Sequence, residues 1–200
     1  MEKFAFILHP LSLQDMEHLS PLMRYIPDPI IEACLKMKKP FKVSHITGIK
    51  SPYAEAEGWF IGCPLTAKQM VELPEEFVMD RIIESGKVAQ ELGAKIVGLG
   101  AFTSIVGDAG ITVAKNLDIA VTSGNSYTVA TAIQGTKQAA RMMGKDLKEC
   151  RAVVVGATGS IGAASVRLLS KEVKHITLVA RHMGPLEELA QELIEQNHCE

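Results

Sequence analysis

Residues 151–182 read RAVVVGATGSIGAASVRLLSKEVKHITLVARH, and their pattern decides the fold. Arg151–Val155 is a short valine-rich run, the composition of a strand buried in a sheet. Three glycines follow at intervals of three, Gly156, Gly159 and Gly162. Ser160–Ser170 has helical spacing, and His175–Ala180 is a second apolar strand. Strand, glycine turn, helix and strand make the βαβ unit of a parallel sheet. In that setting Gly156 makes the tight turn and Gly159 keeps a side chain clear of a phosphate. Gly162 lets the helix pack closely on the strand.

Gly156, Ala157, Thr158, Gly159, Ser160, Ile161 and Gly162 are therefore the expected pyrophosphate-binding residues of a Rossmann unit. The backbone N–H groups at the helix start would be the donors. Their spacing is G-x-x-G-x-x-G, a variant of G-x-G-x-x-G common among enzymes that use NADP. Where an NAD enzyme keeps a carboxylate for the ribose 2′-hydroxyl, this chain has Ala180, Arg181 and His182. An arginine there suits a 2′-phosphate, so NADP is the expected cofactor.

Outward from this unit, strand-like and helix-like segments alternate. Lys3–Leu8, Lys42–Ile49, Gly58–Cys63, Lys95–Leu99 and Asp118–Thr122 read as strands. The second and third are expected to form a hairpin, which makes the first sheet mixed. Helices are expected over Asp28–Lys38, from Pro74 to Leu92, from Ser126 to Met143, and over Gly184–Gln196. The fold class is α/β: a substrate domain over residues 1–145, then the start of an NAD(P)-binding domain over residues 146–200. A full dinucleotide fold has two βαβαβ halves. Residues 151–200 are thus expected to be part of a longer enzyme, or to complete their sheet in a homo-oligomer.

Composition narrows the classes. The 200 residues are 47% hydrophobic and 22% charged, enough to bury a core. Lys and Arg number 21 against 23 acidic residues, which leaves no basic footprint for nucleic acid. No apolar run reaches the roughly 18 residues that span a bilayer. The start, MEKFAFILHP, turns polar too early for a signal peptide. The four cysteines (Cys34, Cys63, Cys150, Cys199) form no CxxC pair and read as reduced thiols of a cytoplasmic protein. The histidines at 9, 18, 45, 175, 182 and 198 have no metal-site spacing, so no metal is expected.

Two further loops follow expected strands. In Gly100–Gly107, Thr103 and Ser104 could meet a substrate carbonyl, or could cap the helix that follows. In Thr122–Thr128, Asn125, Ser126 and Tyr127 stand at a strand end and a helix start. A single cleft facing the glycine loop, with Thr103 and Asn125 partly accessible, is expected to unite them. Cys63, at a strand end before Pro64, is either a nucleophile or, more in keeping with its setting, a buried thiol. Met16, Met23, Met37, Met142 and Met143 read as core filling, with a flexible lining for a greasy substrate as the other reading. The Lys36–Lys39 cluster reads as a solvated helix end or a contact for an acidic carrier protein.

Taken together, these motifs resemble the long-chain fatty acyl-acyl carrier protein reductases of the cyanobacterial type and their shikimate dehydrogenase-like bacterial relatives. Gly100-Ala101-Phe102-Thr103-Ser104-Ile105 resembles that family's G-G-F-T-S-I, and Thr122–Thr128 its T-T-G-N-T-H-T. Val153–Gly162 resembles its V-V-G-A-T-G-x-I-G. The likeness covers residues 95–182. It implies an enzyme that uses NADPH to reduce a fatty acyl thioester, on acyl carrier protein or CoA, to an aldehyde. It also implies that the acyl group passes through a cysteine beyond this chain. Ala101 departs from the family's second glycine, and Ser126-Tyr127 departs from Thr-His. The other readings are an NADP-dependent dehydrogenase of a small polar substrate, shikimate-like or a pterin C1 carrier, and a non-catalytic NADP-binding module.

Overall fold

The computed structural model describes residues 2–17 and 24–197. The readings made at His18, Met23, His198 and Cys199, and at the side chain of Met16, fall outside the described residues. Contacts divide the chain into two compact units, Met1–Ser123 and Gly124–Glu200.

In the first unit, β1 (Glu2–Leu8), β2 (Phe41–Lys50), β3 (Glu55–Gly62), β4 (Ile96–Leu99) and β5 (Ala120–Thr122) form one sheet. Its order is β2-β3-β1-β4-β5. β3, β1, β4 and β5 run parallel, and β2 pairs antiparallel with β3 as the expected hairpin. Side chains alternate across a strand. One face therefore gathers Ala5, Ile7, Trp59, Ile61, Val97 and Leu99 into the main core. Helix α4 (Glu75–Glu91) lays Val78, Ile82, Gly86 and Ala89 on that core, a helical stripe at spacings of three and four. Each fully buried valine, leucine or isoleucine there contributes roughly 1.5–3 kcal/mol.

Shorter helices complete this unit: α1 (Gln14–Glu17), α2 (Asp28–Met37), α3 (Ala67–Glu72) and α5 (Ile111–Lys115). At six residues, α3 is too short for hydrophobic periodicity to mark in the sequence. What defines it is a capping box, with the Thr66 hydroxyl accepting from the Gln69 amide and the Gln69 side chain accepting from the Thr66 amide.

The second unit holds α6 (Asn125–Met142), β6 (Arg151–Val155), α7 (Ser160–Leu169), β7 (His175–Val179) and α8 (Met183–Asn197). β6 and β7 pair parallel, Arg151 opposite His175 through Val155 opposite Val179. Val154, Ile176 and Leu178 pack with Ala157, Val166, Leu189 and Leu193 on one face. The other face leaves Val153 60% and Val155 79% exposed. The division falls at Ser123/Gly124 rather than at the expected 145/146. The reason is α6, whose buried side chains, Val129 and Ile133, pack with Leu169, Val154 and Ile176.

One core reading is corrected. Met37, Met142 and Met143 are 81%, 80% and 72% exposed; among the described residues the buried methionines are Met70 and Met79.

A two-stranded sheet covered on one face is less protected than a five-stranded one with a continuous core. Amide hydrogen exchange should show β1 and β3 outlasting β6 and β7. Equal protection in both sheets would contradict this account of the second unit.

Candidate functional site

The glycine loop joins β6 to α7. Gly156 has φ +78°, a left-handed conformation that costs other residues about 1–2 kcal/mol. Its N–H and that of Ala157 both donate to the Val179 carbonyl, at 2.8 and 3.1 Å. The loop is thereby pinned on the end of β7, next to Ala180 and Arg181. A Cβ on Gly162 would lie 2.0 Å from the Gly156 carbonyl oxygen, so only glycine permits this approach of α7 to the turn. Gly159 caps α7 and supplies no side-chain acceptor. The first intrahelical bond is Ala163 N–H to the Gly159 carbonyl, 2.7 Å, so the amides of Ser160, Ile161 and Gly162 precede it. A hollow of about 420 Å³ lies over this turn, lined by Val154, Val155, Gly156, Gly159, Ser160, Ile161, Gly162 and Ser165. A helix start with three amides ahead of its first internal bond, behind a turn with glycine at 156 and 159, has the chemistry to suit an anion such as a pyrophosphate. Arg181 and His182 are exposed between β7 and α8.

Asn125 belongs to the same unit. Its side-chain N–H donates to Ser160 Oγ at 2.9 Å, tying the start of α6 to the start of α7. The α6 cap, Gly124, also lacks a side-chain acceptor. The unit thus brings together Asn125 and the glycine loop, which lie 35 residues apart in sequence. Ser126 and Tyr127 are exposed on the first turn of α6.

In the first unit, residues 101–104 form a 3-10 turn at the carboxyl end of β4. Thr103 is corrected: it is 1% exposed, not partly accessible, and its hydroxyl donates to the Gly100 carbonyl at 2.7 Å. Ser104 likewise donates to the Ala101 carbonyl at 2.7 Å. Both hydroxyls hold the turn. Ala101 has φ +48°, where the resembling family carries glycine.

Sequence reasoning missed His9, which follows β1. Its Nε2 accepts the Phe102 amide at 3.1 Å, so Nδ1 carries the proton and donates to the Pro10 carbonyl at 2.9 Å. No local pattern could reveal a bond spanning 93 residues.

Cys63 is fully buried. Burial pushes its thiol up to about 11, against a Ser85 hydrogen bond and the Arg81 charge, which lower it. This is the buried-thiol reading of Cys63. In the Lys36–Lys39 cluster, Lys36 Nζ lies 5.5 Å from the Phe77 ring and Lys38 Nζ 4.0 Å from the Phe41 ring. Among the described residues no three His, Cys, Asp or Glu side chains gather as a metal site. None of their helices is long and apolar enough to cross a membrane.

No family model matches the chain. It is 27% identical over 209 residues to the long-chain acyl-[acyl-carrier-protein] reductase of Synechococcus elongatus, covering 95% of this chain and 59% of that protein. It is 34% identical over 128 residues to a Serratia protein named aminotransferase PigE, covering 64% of this chain and 14% of that protein. The chain thus spans about three fifths and one seventh of these relatives. Both are enzymes by name. A solved aspartate racemase homologue from Pyrococcus horikoshii is 14% identical with a TM-score of 0.40, covering 99% of this chain and 69% of that one.

Two outcomes follow from this geometry. Ala101→Gly should relieve the left-handed strain and raise stability by up to about 1 kcal/mol, read by chemical denaturation. At pH 8.5 iodoacetamide should modify the exposed Cys34 and spare Cys63 until the chain unfolds, because the buried thiol stays protonated well above its ordinary value.

Proposed function

We propose that this chain is the NADPH-binding and substrate-positioning part of a reductase that converts a fatty acyl thioester to an aldehyde. The observation that carries this reading is the glycine turn pinned on the end of β7. It sets the open amides of Ser160, Ile161 and Gly162 on one side and the Arg181 strand end on the other. The reductase similarity along 95% of the chain supports it.

On this reading Gly156, Ala157, Thr158, Gly159, Ser160, Ile161 and Gly162 hold the pyrophosphate. Ala180, Arg181 and His182 receive the 2′-phosphate, with the arginine fork matching its oxygens. When bound, NADPH supplies a hydride. Asn125 orients Ser160 and fixes the spacing of two helix starts, whose amides favour negative charge. Ser126 and Tyr127, exposed beside it, are the polar side chains on this turn open to a substrate. The Gly100–Ile105 turn, held by Thr103, Ser104 and His9, is the substrate-side segment.

Titrating NADPH and NADH into the protein tests this reading. Arg181→Ala should weaken NADPH by about 1.5–3 kcal/mol, the scale of a charged hydrogen bond, and leave NADH nearly unchanged. Equal losses, or a native preference for NADH, would overturn the assignment of the β7 end.

A further inference from the structure

The chain carries a net charge of −2, yet one surface of the second unit is strongly basic. A hollow of about 430 Å³ is lined by Lys137, Arg141, Lys145, Lys148 and Lys171, against only Asp146 and Glu172. Lys137 is paired with Glu172. Asp146 is engaged through its carboxylate, which accepts the Lys148 amide at 3.0 Å. Arg141, Lys145, Lys148 and Lys171 are exposed, and among the described residues none has an ion-pair partner.

Neutralising the carbonyl end of α6 accounts for Arg141 and Lys145 alone. Lys148 comes from the turn before β6 and Lys171 from the turn after α7, so four cations from three elements converge. Their frame is fixed by backbone bonds. Gly144 takes φ +65°, and the Lys145 amide folds back on the Ala140 carbonyl at 2.9 Å. The same helix end presents Met142 and Met143, 80% and 72% exposed. Flexible thioethers beside unpaired cations suit a partner that is acidic with an apolar spot.

We propose that Arg141, Met142, Met143, Lys145, Lys148 and Lys171 form the docking surface for an acidic carrier protein. Charge complementarity selects an acidic protein; naming it an acyl carrier rests on the reductase reading. The surface lies at the amino ends of β6 and β7, opposite the glycine loop. Five-residue strands separate the two by about 17 Å, so docking and cofactor binding are separable by mutation. The KMKK cluster is the poorer candidate, since Lys36 and Lys38 already lie over aromatic rings.

The test titrates fluorescent palmitoyl-loaded acyl carrier protein into the chain, with NADPH binding measured in parallel. Lys145→Glu/Lys148→Glu should weaken the carrier about tenfold or more at low salt, with the difference shrinking as salt rises. Lys145→Gln/Lys148→Gln should show a smaller loss in the same direction and guards against misfolding by the reversals. Met142→Ser/Met143→Ser should weaken it several-fold with little salt dependence. NADPH affinity should stay unchanged in all three. Patch variants that bind the carrier as tightly as the native chain would overturn the proposal. So would a native chain that prefers palmitoyl-CoA or anionic vesicles at these residues. Patch-dependent carrier binding in a native chain that binds no NADPH would support the docking surface while retiring the reductase reading.

Discussion

A parallel sheet delivers its strand ends to one edge, where backbone groups need partners beyond the last ladder bond. This chain meets that need with one repeated device: the first amides of a loop bond back to a carbonyl at the end of the neighbouring strand. Cys63 bonds to the Leu8 carbonyl at 2.8 Å and Gly100 to the Ile7 carbonyl at 3.1 Å. In the second unit Gly156 and Ala157 share the Val179 carbonyl. The loops after β3, β4 and β6 thus start from anchored points, so their conformation is set by the sheet and not by the loop alone.

That anchoring explains why the polar residues of the first-unit turn are not spread toward solvent. Once Gly100 is fixed on β1, the chain must reverse within a 3-10 turn. Thr103 and Ser104 are positioned to close it with their own hydroxyls, and His9 closes it from the β1 side. The cost is concentrated at Ala101, in a left-handed conformation glycine would adopt without strain. In the second unit the strain falls on glycines, which leaves the amides of the α7 start open to an anion.

The two units differ in how they use their helices. In the first, α4 covers a sheet face and the core is continuous. In the second, α6 packs mainly on α7, and β6 and β7 keep one face bare. The exposed carbonyl end of α6, with its cations and methionines, follows from that arrangement. A helix buried along only Val129 and Ile133 leaves its last turn and the following segment to the surface.

Local pattern was enough for much of this. The valine run, the glycines at intervals of three and the α4 stripe repeat at the period of the structure they form, so strands, helices, the α/β class and the glycine turn were legible from residues 74–92 and 151–182. The β2–β3 hairpin was legible too, because its strands are consecutive. What the sequence left open depends on which distant residues meet. Thr103 looked like a substrate contact until burial assigned its hydroxyl to Gly100. Met142 and Met143 looked like core until α6 turned them outward. His9 meeting Phe102 and Asn125 meeting Ser160 join segments 93 and 35 residues apart. A side chain's type and spacing fix its element and its chemistry, but only the packing of elements fixes its partner, because a hydrogen bond is decided by distance in space and not along the chain.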